Sequence, residues 1–421
     1  MLSWLRAVWA SLTTRGTAFV AAGACLLVAG LLLGQRDLTR AGLLLVILVL
    51  VSAWLLRRHG TGLEIVRTLR PPHAAIDDLV TVDATIRQAG SQSSGVVFAD
   101  EHLAYHLGER PRFVIPALRP GEQCRVQYSL RPSLRGVHLL GPMGLRVKDV
   151  FGLTVRVAQV GGQDELLVVP TIVDLAGSPP GSTGLGTEGA GSSVVSLHGE
   201  DDQGIREYRQ GDDLRRIHWP ASARTGDLMV RQEDRPLRRQ ALVLLDSRVE
   251  GHVGTGRAST MEWAVTMVAS VSAHLHELGY AVTTLVPDPA SPTGVIVAED
   301  LTSTLVALAR VTPTGATSLA DLLHAARGLT RAGGLVVIVS GALRESQAVS
   351  VAALRQPGSA GLALVADISN SRLVSPALAQ EHTGGVEVLR QAGFRTESVQ
   401  AVTPHAAAWA RLAPARVGQR G

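Results

Sequence analysis

Side chains able to form ionic networks concentrate between residues 204 and 233. From Arg206 to Arg239 the chain carries nine arginines and six carboxylates, and the two signs interleave rather than form blocks. Guanidinium and carboxylate groups at this density can form bidentate ion pairs. The segment is therefore interpreted either as a structural lattice that clamps neighbouring domains or as a docking surface for a partner protein.

This charged segment offers little for catalysis or for nucleic-acid binding. Its one histidine, His218, has no evident nucleophile beside it. The six carboxylates would repel phosphate groups, which disfavours a nucleic-acid partner. Elsewhere the chain lacks the sequence motifs of serine hydrolases, zinc proteases, paired redox cysteines and nucleotide phosphate loops. A hydrolase that uses a carboxylate or histidine in a C-terminal crevice remains an alternative.

Turn and cap residues divide the charged segment into short elements. Gly211, Asp212 and Asp213 predict a turn and a helix N-cap, where carboxylates interact favourably with the helix dipole. Residues 214–219 then predict one or two helical turns, and residues 227–231 predict a strand that enters a sheet.

Two uncharged apolar runs near the N-terminus predict a transmembrane hairpin. Residues 17–33 and 41–56 each give a helix of roughly 25 Å, at the short end of what spans a bilayer core. Residues 34–40 allow only a tight turn between them. The outer flanks carry five arginines and the turn carries two, so both termini are expected in the cytoplasm of a multi-pass protein of the cell membrane.

The apolar runs allow two other interpretations. The first run could be a cleaved signal peptide, but no clear cleavage site follows it and a second apolar run does. Both runs could be buried core helices, but neither has a polar face. Cys25 and Cys124 are far apart in sequence and are not expected to pair, which fits a reducing compartment.

The remaining chain predicts a β-rich region followed by an α/β region. Short apolar runs at intervals of roughly ten residues indicate a β-sandwich-like domain. After that, the apolar patterns predict strands at 240–246, 281–286, 335–340, 362–367 and 394–402, and helices at 259–278, 301–308 and 319–329. This alternation of strands and helices is typical of a doubly wound fold. The predicted divisions are a hairpin at 1–60, a β-sandwich-like domain at 61–175, a Gly/Ser-rich linker at 176–200, the charged motif at 201–239, an α/β domain at 240–412 and a tail at 413–421.

The charged motif resembles the signature of the domain-of-unknown-function 58 family. The residues that carry this resemblance are Arg206, Glu207, Tyr208, Gly211, Asp212, Asp213, Arg215, Arg216, Ile217, His218, Trp219, Arg224 and Arg231. Upstream, Arg135-Gly136, residues 140–142 and residues 149–153 resemble a second passage of that family, with Val150 in place of proline.

The family resemblance implies a von Willebrand factor A-like α/β domain with a metal site at its sheet edge. Such a site needs an Asp-x-Ser-x-Ser motif and a later threonine, and it suits Mg²⁺. Asp246 and Thr317 can stand for two of these ligands, but Arg248 and Glu250 replace both motif serines. Arg248 is expected to occupy the metal position by pairing with Asp246 or Glu250. No cofactor is therefore predicted, with Mg²⁺ as the open alternative.

The resemblance also implies a partner, a MoxR-type AAA+ ATPase. The chain has no ATP-binding motif of its own, so an energy-using step would need such a partner. The expected function is a membrane-anchored, non-catalytic adaptor or scaffold in envelope or protein-complex maturation. A Mg²⁺-dependent binding or sensor domain is the alternative.

Overall fold

The structure is a computed structural model that describes most of the 421 residues. The described residues are Trp9 and residues 11–58, 62–179, 205–208, 217, 219–231, 239–313, 319–330, 334–357, 359–369 and 376–414. They form two compact units. The first unit contains Met1–Val173, Gly254–Ser270 and Leu301–Thr314, and the second contains Asp174–Val253, Val271–Asp300 and Gly315–Gly421.

Two apolar helices open the first unit, and both are long and apolar enough to cross a membrane. Helix α1 spans Thr14–Leu32 and helix α2 spans Arg36–Arg58. The predicted turn at residues 34–40 was too long, because α2 already begins at Arg36. Nothing after Gly34, which has a φ of +65°, interrupts a helix, and Asp37 in the first turn favours one.

Glycines allow the two helices to approach closely. A Cβ atom on Gly23 of α1 would lie 3.0 Å from the carbonyl oxygen of Gly42 in α2. A Cβ atom on Gly42 would lie 2.8 Å from the backbone nitrogen of Leu27. Small residues at such crossings are typical of helices that pack inside a bilayer.

Ten strands follow the hairpin, in agreement with the predicted β-rich region. They are β1 (Leu63–Arg70), β2 (His73–Ala75), β3 (Val80–Gln88), β4 (Val97–Glu101), β5 (Arg112–Ile115), β6 (Gln123–Leu130), β7 (Gly136–Leu140), β8 (Met143–Lys148), β9 (Val155–Val160) and β10 (Asp164–Val169). They form sheets with the orders β1-β3-β6, β2-β10-β7 and β5-β4-β8-β9. Alternate residues of β3 are buried, and the inner faces of all three sheets share one largely aliphatic core.

The second unit is built on a six-stranded sheet. Its strands are β13 (Gln240–Leu245), β14 (Ala281–Pro287), β15 (Val295–Ala298), β16 (Leu335–Ser340), β17 (Ala360–Ala366) and β18 (Phe394–Val399). The order is β15-β14-β13-β16-β17-β18, and β15 alone pairs antiparallel. This order is that of a doubly wound sheet, whose topological switch point lies between β13 and β16.

The described residues form further strands and α-helices outside these sheets. Before the sheet come β11 (Ile205–Glu207), α3 (Trp219–Thr225) and β12 (Met229–Arg231); later come α4 (Thr260–Glu277), α5 (Leu301–Arg310), α6 (Leu319–Leu329), α7 (Glu345–Ala352), α8 (Pro376–Gln391) and α9 (His405–Leu412). Strands β13, β14, β16, β17 and β18 and helices α4 to α6 lie where the sequence predicts them, although β17 and β18 differ from the predicted bounds by a few residues. The sequence did not predict β15 or the last three helices.

Candidate functional site

The sheet of the second unit has polar residues at the carboxyl ends of its central strands. Asp246 directly follows β13, and Ser340 is the last residue of β16. These strands are neighbours, so the two side chains meet at the switch point, the usual ligand site of doubly wound sheets. The Ser340 hydroxyl donates to Oδ2 of Asp246 at 2.8 Å.

Arg248 forms a bidentate ion pair with Asp246 at this switch point. Its Nε donates to Oδ1 at 2.9 Å, and its Nη2 donates to Oδ2 at 2.7 Å. Nη2 also donates to the carbonyl oxygen of Ala342 at 3.2 Å. Of the two carboxylates expected as partners of Arg248, Asp246 is the one with which it pairs.

Asp246 is a buried and charged carboxylate, with 1% of its surface exposed. Burial raises the pKa of its carboxyl group, but the hydrogen bonds and charge of Arg248 outweigh this effect and hold the pKa below its usual range. His252 donates from Nε2 to the backbone carbonyl of Asp246 at 2.8 Å. Burial lowers the pKa of His252, so the ring stays neutral near pH 7.

The loops that follow β13 and β16 pack closely at the switch point. The backbone nitrogen of Ala342 donates to the carbonyl oxygen of Gly251 at 2.7 Å. A Cβ atom on Gly341 would lie 2.5 Å from that oxygen, so the approach requires glycine. The ion pair thus lies beneath two loops whose backbones are hydrogen-bonded to each other.

A second carboxylate at the same sheet edge is also held by its own chain. Asp367 follows β17 and accepts hydrogen bonds from the backbone nitrogen and hydroxyl of Ser369 at 2.9 and 2.6 Å. Gln400 donates to its other oxygen at 3.1 Å. Burial raises the pKa of Asp367, but these hydrogen bonds outweigh it and hold the pKa below its usual range.

The predicted metal ligands are only partly placed. Asp246 lies at the sheet edge, whereas Thr317 lies outside the described residues. Within the described ranges, no three His, Cys, Asp or Glu side chains are grouped in a way that could hold a metal ion. In the described structure, this sheet edge binds the guanidinium of Arg248, which the chain itself supplies.

The charged motif is described at seven of its thirteen signature residues. Arg206 and Glu207 lie on β11, which pairs antiparallel with β12, and Arg231 lies on β12. Tyr208 continues this pairing by donating its backbone nitrogen to the carbonyl oxygen of Leu228 at 2.8 Å. The signature residues outside the described ranges are Gly211, Asp212, Asp213, Arg215, Arg216 and His218.

The short helix of the motif lies later than the sequence predicted. Ile217 forms an isolated β-bridge with Val230, so the predicted helix over residues 214–219 is wrong at that position. Helix α3 begins at Trp219, which is 67% exposed, and Arg224 lies exposed in its last turn.

Sequence reasoning missed two buried arginines of the first unit. Arg67 on β1 pairs with Glu101 and Asp164, and both its side chain and that of Glu101 are fully buried. Arg135 donates to Glu262 at 2.7 Å and to the carbonyl oxygen of Val311 at 2.8 Å. The sequence marks Arg135 only as part of a family passage and Arg67 only as one of the five flanking arginines, because their ion-pair partners are distant in sequence.

The family comparison covers the charged motif and the switch point. Residues 204–370 match the model of a family described as "Protein of unknown function DUF58". The match begins at the motif and ends just beyond Asp367, so it includes Asp246, Arg248 and Ser340. It supports the resemblance drawn from the signature residues. No curated protein matches the chain.

The solved structures similar to this chain include three distant likenesses. The alkylpurine DNA glycosylase AlkC of Pseudomonas fluorescens, solved with DNA containing an abasic site analog, is 15% identical with a TM-score of 0.19, over 32% of this chain and 39% of that one. A CARDB domain from Pyrococcus furiosus, solved with di-metal ions, is 12% identical with a TM-score of 0.18, over 25% and 87%. A β-glucosidase from Listeria innocua is 16% identical with a TM-score of 0.15, over 24% and 16%. Likeness at this level carries no argument about this chain.

Proposed function

We propose that this protein is a membrane-anchored, non-catalytic adaptor that works with a MoxR-type AAA+ ATPase in envelope or protein-complex maturation. The observation that carries the proposal is the bidentate pair between Arg248 and Asp246 at the switch point. In this pair, the guanidinium of Arg248, a cation of the chain itself, fills the position where a doubly wound sheet ordinarily binds a ligand.

We infer that residues 240–412 have a von Willebrand factor A-like fold. The strand order β15-β14-β13-β16-β17-β18, with an antiparallel edge strand, supports this inference. In the fold that the resemblance implies, a divalent cation binds beside Asp246. The guanidinium of Arg248 takes the place of that cation and supplies the compensating charge without metal.

Membrane anchoring rests on α1 and α2, with both termini in the cytoplasm. The apolar lengths of the two helices support a double span, and the glycine contacts between them support packing in lipid. The excess of arginine in the flanks supports the orientation.

The surface we assign to partner docking is the charged motif around α3. Trp219 is a large exposed aromatic side chain, and Arg224 is an exposed cation in the same helix. Tryptophan and arginine are the residue types that most often dominate binding energy at protein interfaces. The carboxylates of the motif argue against nucleic acid as the partner.

Binding of the purified ATPase to the full-length chain in nanodiscs tests this proposal. We expect Trp219→Ala and Arg224→Glu each to weaken binding by at least about tenfold, as expected for central interface residues. Arg327→Glu is the matched control, because Arg327 is also an exposed arginine in the last turn of a helix. It should leave the affinity unchanged.

Two results would count against the proposal. If the wild-type chain does not bind the ATPase with a non-hydrolysed nucleotide present, the partner is wrong. If Arg327→Glu weakens binding as much as Arg224→Glu, the effect is one of net charge and the motif is not the docking surface.

A further inference from the structure

The turn between β8 and β9 presents apolar side chains to solvent. Val150 is 98% exposed and Phe151 is 57% exposed. Two adjacent side chains of this kind at the tip of a turn leave apolar area in water that a soluble protein would ordinarily bury or replace.

Asp149 holds this turn in one conformation. Its carboxylate accepts hydrogen bonds from the backbone nitrogens of Phe151 at 2.6 Å, Leu153 at 3.2 Å and Thr154 at 2.5 Å, and from the Thr154 hydroxyl at 2.7 Å. Gly152 supplies the positive φ of +68° that the turn needs. These hydrogen bonds fix the conformation of the apolar tip. The carboxylate of Asp149 is occupied by donors of the turn itself.

The turn is attached to the start of helix α1. The backbone nitrogen of Thr13 donates to the carbonyl oxygen of Leu153 at 3.0 Å, and the Thr13 hydroxyl donates to that of Gly152 at 2.6 Å. Val155 donates to the carbonyl oxygen of Ser11 at 2.7 Å, so residues 11–13 run along this turn as an added strand would. One helical turn further, a Cβ atom on Gly16 would overlap the carbonyl oxygen of Leu153.

The length of α1 sets the depth of the turn. Its 19 residues give about 28 Å of helix, close to the roughly 30 Å of a bilayer's hydrocarbon core. All of α1 is needed for the span, so Gly16 must lie at the boundary between headgroups and acyl chains. The turn packed against Gly16 lies at the same level. The C-terminal end of α2 lies on the same side of the hairpin as the start of α1, and its Leu56 belongs to the core of the β-rich region, which fixes that region at this boundary too.

We propose that Val150 and Phe151 insert into the headgroup–acyl boundary of a phospholipid bilayer and form a third membrane contact beside the two helices. This inference rests on the proposed membrane anchoring. Aromatic and aliphatic side chains at this level are stabilised by lipid, and a rigid turn loses little conformational entropy on insertion. The contact orients the β-rich region on the membrane surface. The two helices alone would hold this region less firmly in one orientation.

Site-specific fluorescence in nanodiscs tests the insertion. The background is the full-length chain with Cys25→Ser and Cys124→Ser, which removes both native cysteines. An environment-sensitive NBD label is placed on Phe151→Cys or, independently, on Val150→Cys. The nanodiscs contain phosphatidylcholine and phosphatidylglycerol, with a nitroxide-labelled lipid as the membrane quencher and iodide as the aqueous quencher.

Two control positions calibrate the labels. Leu44→Cys lies on α2, where Leu44 is 63% exposed on the helix surface, and reports the membrane span itself. Leu79→Cys replaces an apolar residue that is 54% exposed and precedes β3 at the end where Thr81 pairs with Arg70. Strand β1 leads from the hairpin to Arg70 and spans roughly 23 Å, so Leu79 should lie in water.

The insertion predicts a blue-shifted emission at positions 150 and 151, quenching by the nitroxide lipid and protection from iodide, with Leu79→Cys showing the reverse. If Leu44→Cys is quenched by lipid while both turn positions behave like Leu79→Cys, the insertion is overturned and the anchoring stands. If Leu44→Cys is not quenched by lipid, the anchoring fails and the insertion fails with it.

Discussion

Replacing Arg67 by alanine is expected to lower the local unfolding free energy of the β-rich strands by about 3–5 kcal/mol, the range for breaking a buried ion pair. The Arg67 side chain is fully buried and donates to both oxygens of Glu101 at 3.1 and 2.9 Å, and to Asp164 at 2.8 Å. Glu101 is equally buried and also accepts from the Tyr128 hydroxyl at 2.9 Å. Without Arg67, the Glu101 charge would remain in the core, and the Tyr128 hydroxyl would be its one remaining side-chain partner among the described residues.

Tyr128 remains a hydrogen-bond donor in this network. Burial and the neighbouring Glu101 carboxylate raise its pKa well above the usual range, so the hydroxyl stays protonated at any pH the protein meets. Replacing both members of the ion pair by apolar residues leaves no unpaired Glu101 charge in the core. The double variant Arg67→Met, Glu101→Leu is therefore expected to lose less stability than Arg67→Ala alone.

Hydrogen exchange of peptides from β1, β3 and β6 in detergent micelles measures this effect locally. Arg70→Ala is the matched control on the same strand. Arg70 pairs with Asp83 at 3.6 Å with 74% of its side chain exposed, so its loss should change the opening free energy by no more than about 1 kcal/mol. Equal effects for Arg67→Ala and Arg70→Ala would contradict a special role for the buried network.

Replacing Arg248 by alanine is expected to destabilise the second unit by about 3 kcal/mol, because a buried carboxylate loses its partner. Asp246 is 1% exposed and, within the described part of the chain, would keep the Ser340 hydroxyl and backbone donors as its partners. Its depressed pKa in the folded state would rise, and the unit would lose the stability that the charged form contributes above the usual aspartate range. The double variant Arg248→Ala, Asp246→Asn should regain part of the loss.

Thermal unfolding of the full-length protein in nanodiscs measures this change, with Arg344→Ala as the control. Arg344 pairs with Glu381 at 3.4 Å in the same unit, and both side chains are 55% exposed. A surface pair of this kind contributes at most about 1 kcal/mol. If Arg248→Ala is no more destabilising than Arg344→Ala, the ion pair at the switch point does not stabilise the second unit more than a surface pair does.

The sequence predicted those elements whose patterns are local. The bounds of β16 and α6 match the prediction because continuous apolar character and helical spacing are visible within one segment. Arg248 could be placed beside Asp246 since the two are only two residues apart.

Elements shaped by distant partners escaped prediction. Strand β4 contains Asp100 and Glu101, which look like a loop until Arg67 on another strand is known to neutralise Glu101. Helix α8 contains Gly384 and Gly385, which lower helix propensity. A Cβ atom on Gly385 would lie 2.5 Å from the carbonyl oxygen of Leu343, so tertiary packing selects glycine there against local preference.

The turn at residues 149–154 also shows that local sequence patterns do not predict contacts between distant residues. The sequence marked it as part of a family passage, but exposure of Val150 and Phe151 and attachment to α1 appear only in three dimensions. Hydrogen bonds between Thr13 and the turn join residues about 140 positions apart, which no local pattern can indicate.

The most direct test of the central claim, that Arg248 takes the place of a divalent cation, is the melting temperature of the protein as MgCl₂ is titrated at constant ionic strength. Wild type should show no Mg²⁺-dependent shift, and Arg248→Ser, which removes the cation and leaves oxygen ligands around Asp246, should be stabilised by Mg²⁺ through ligand linkage. A rise in the wild-type melting temperature with Mg²⁺ that EDTA reverses would contradict the claim and favour the metal-dependent sensor instead.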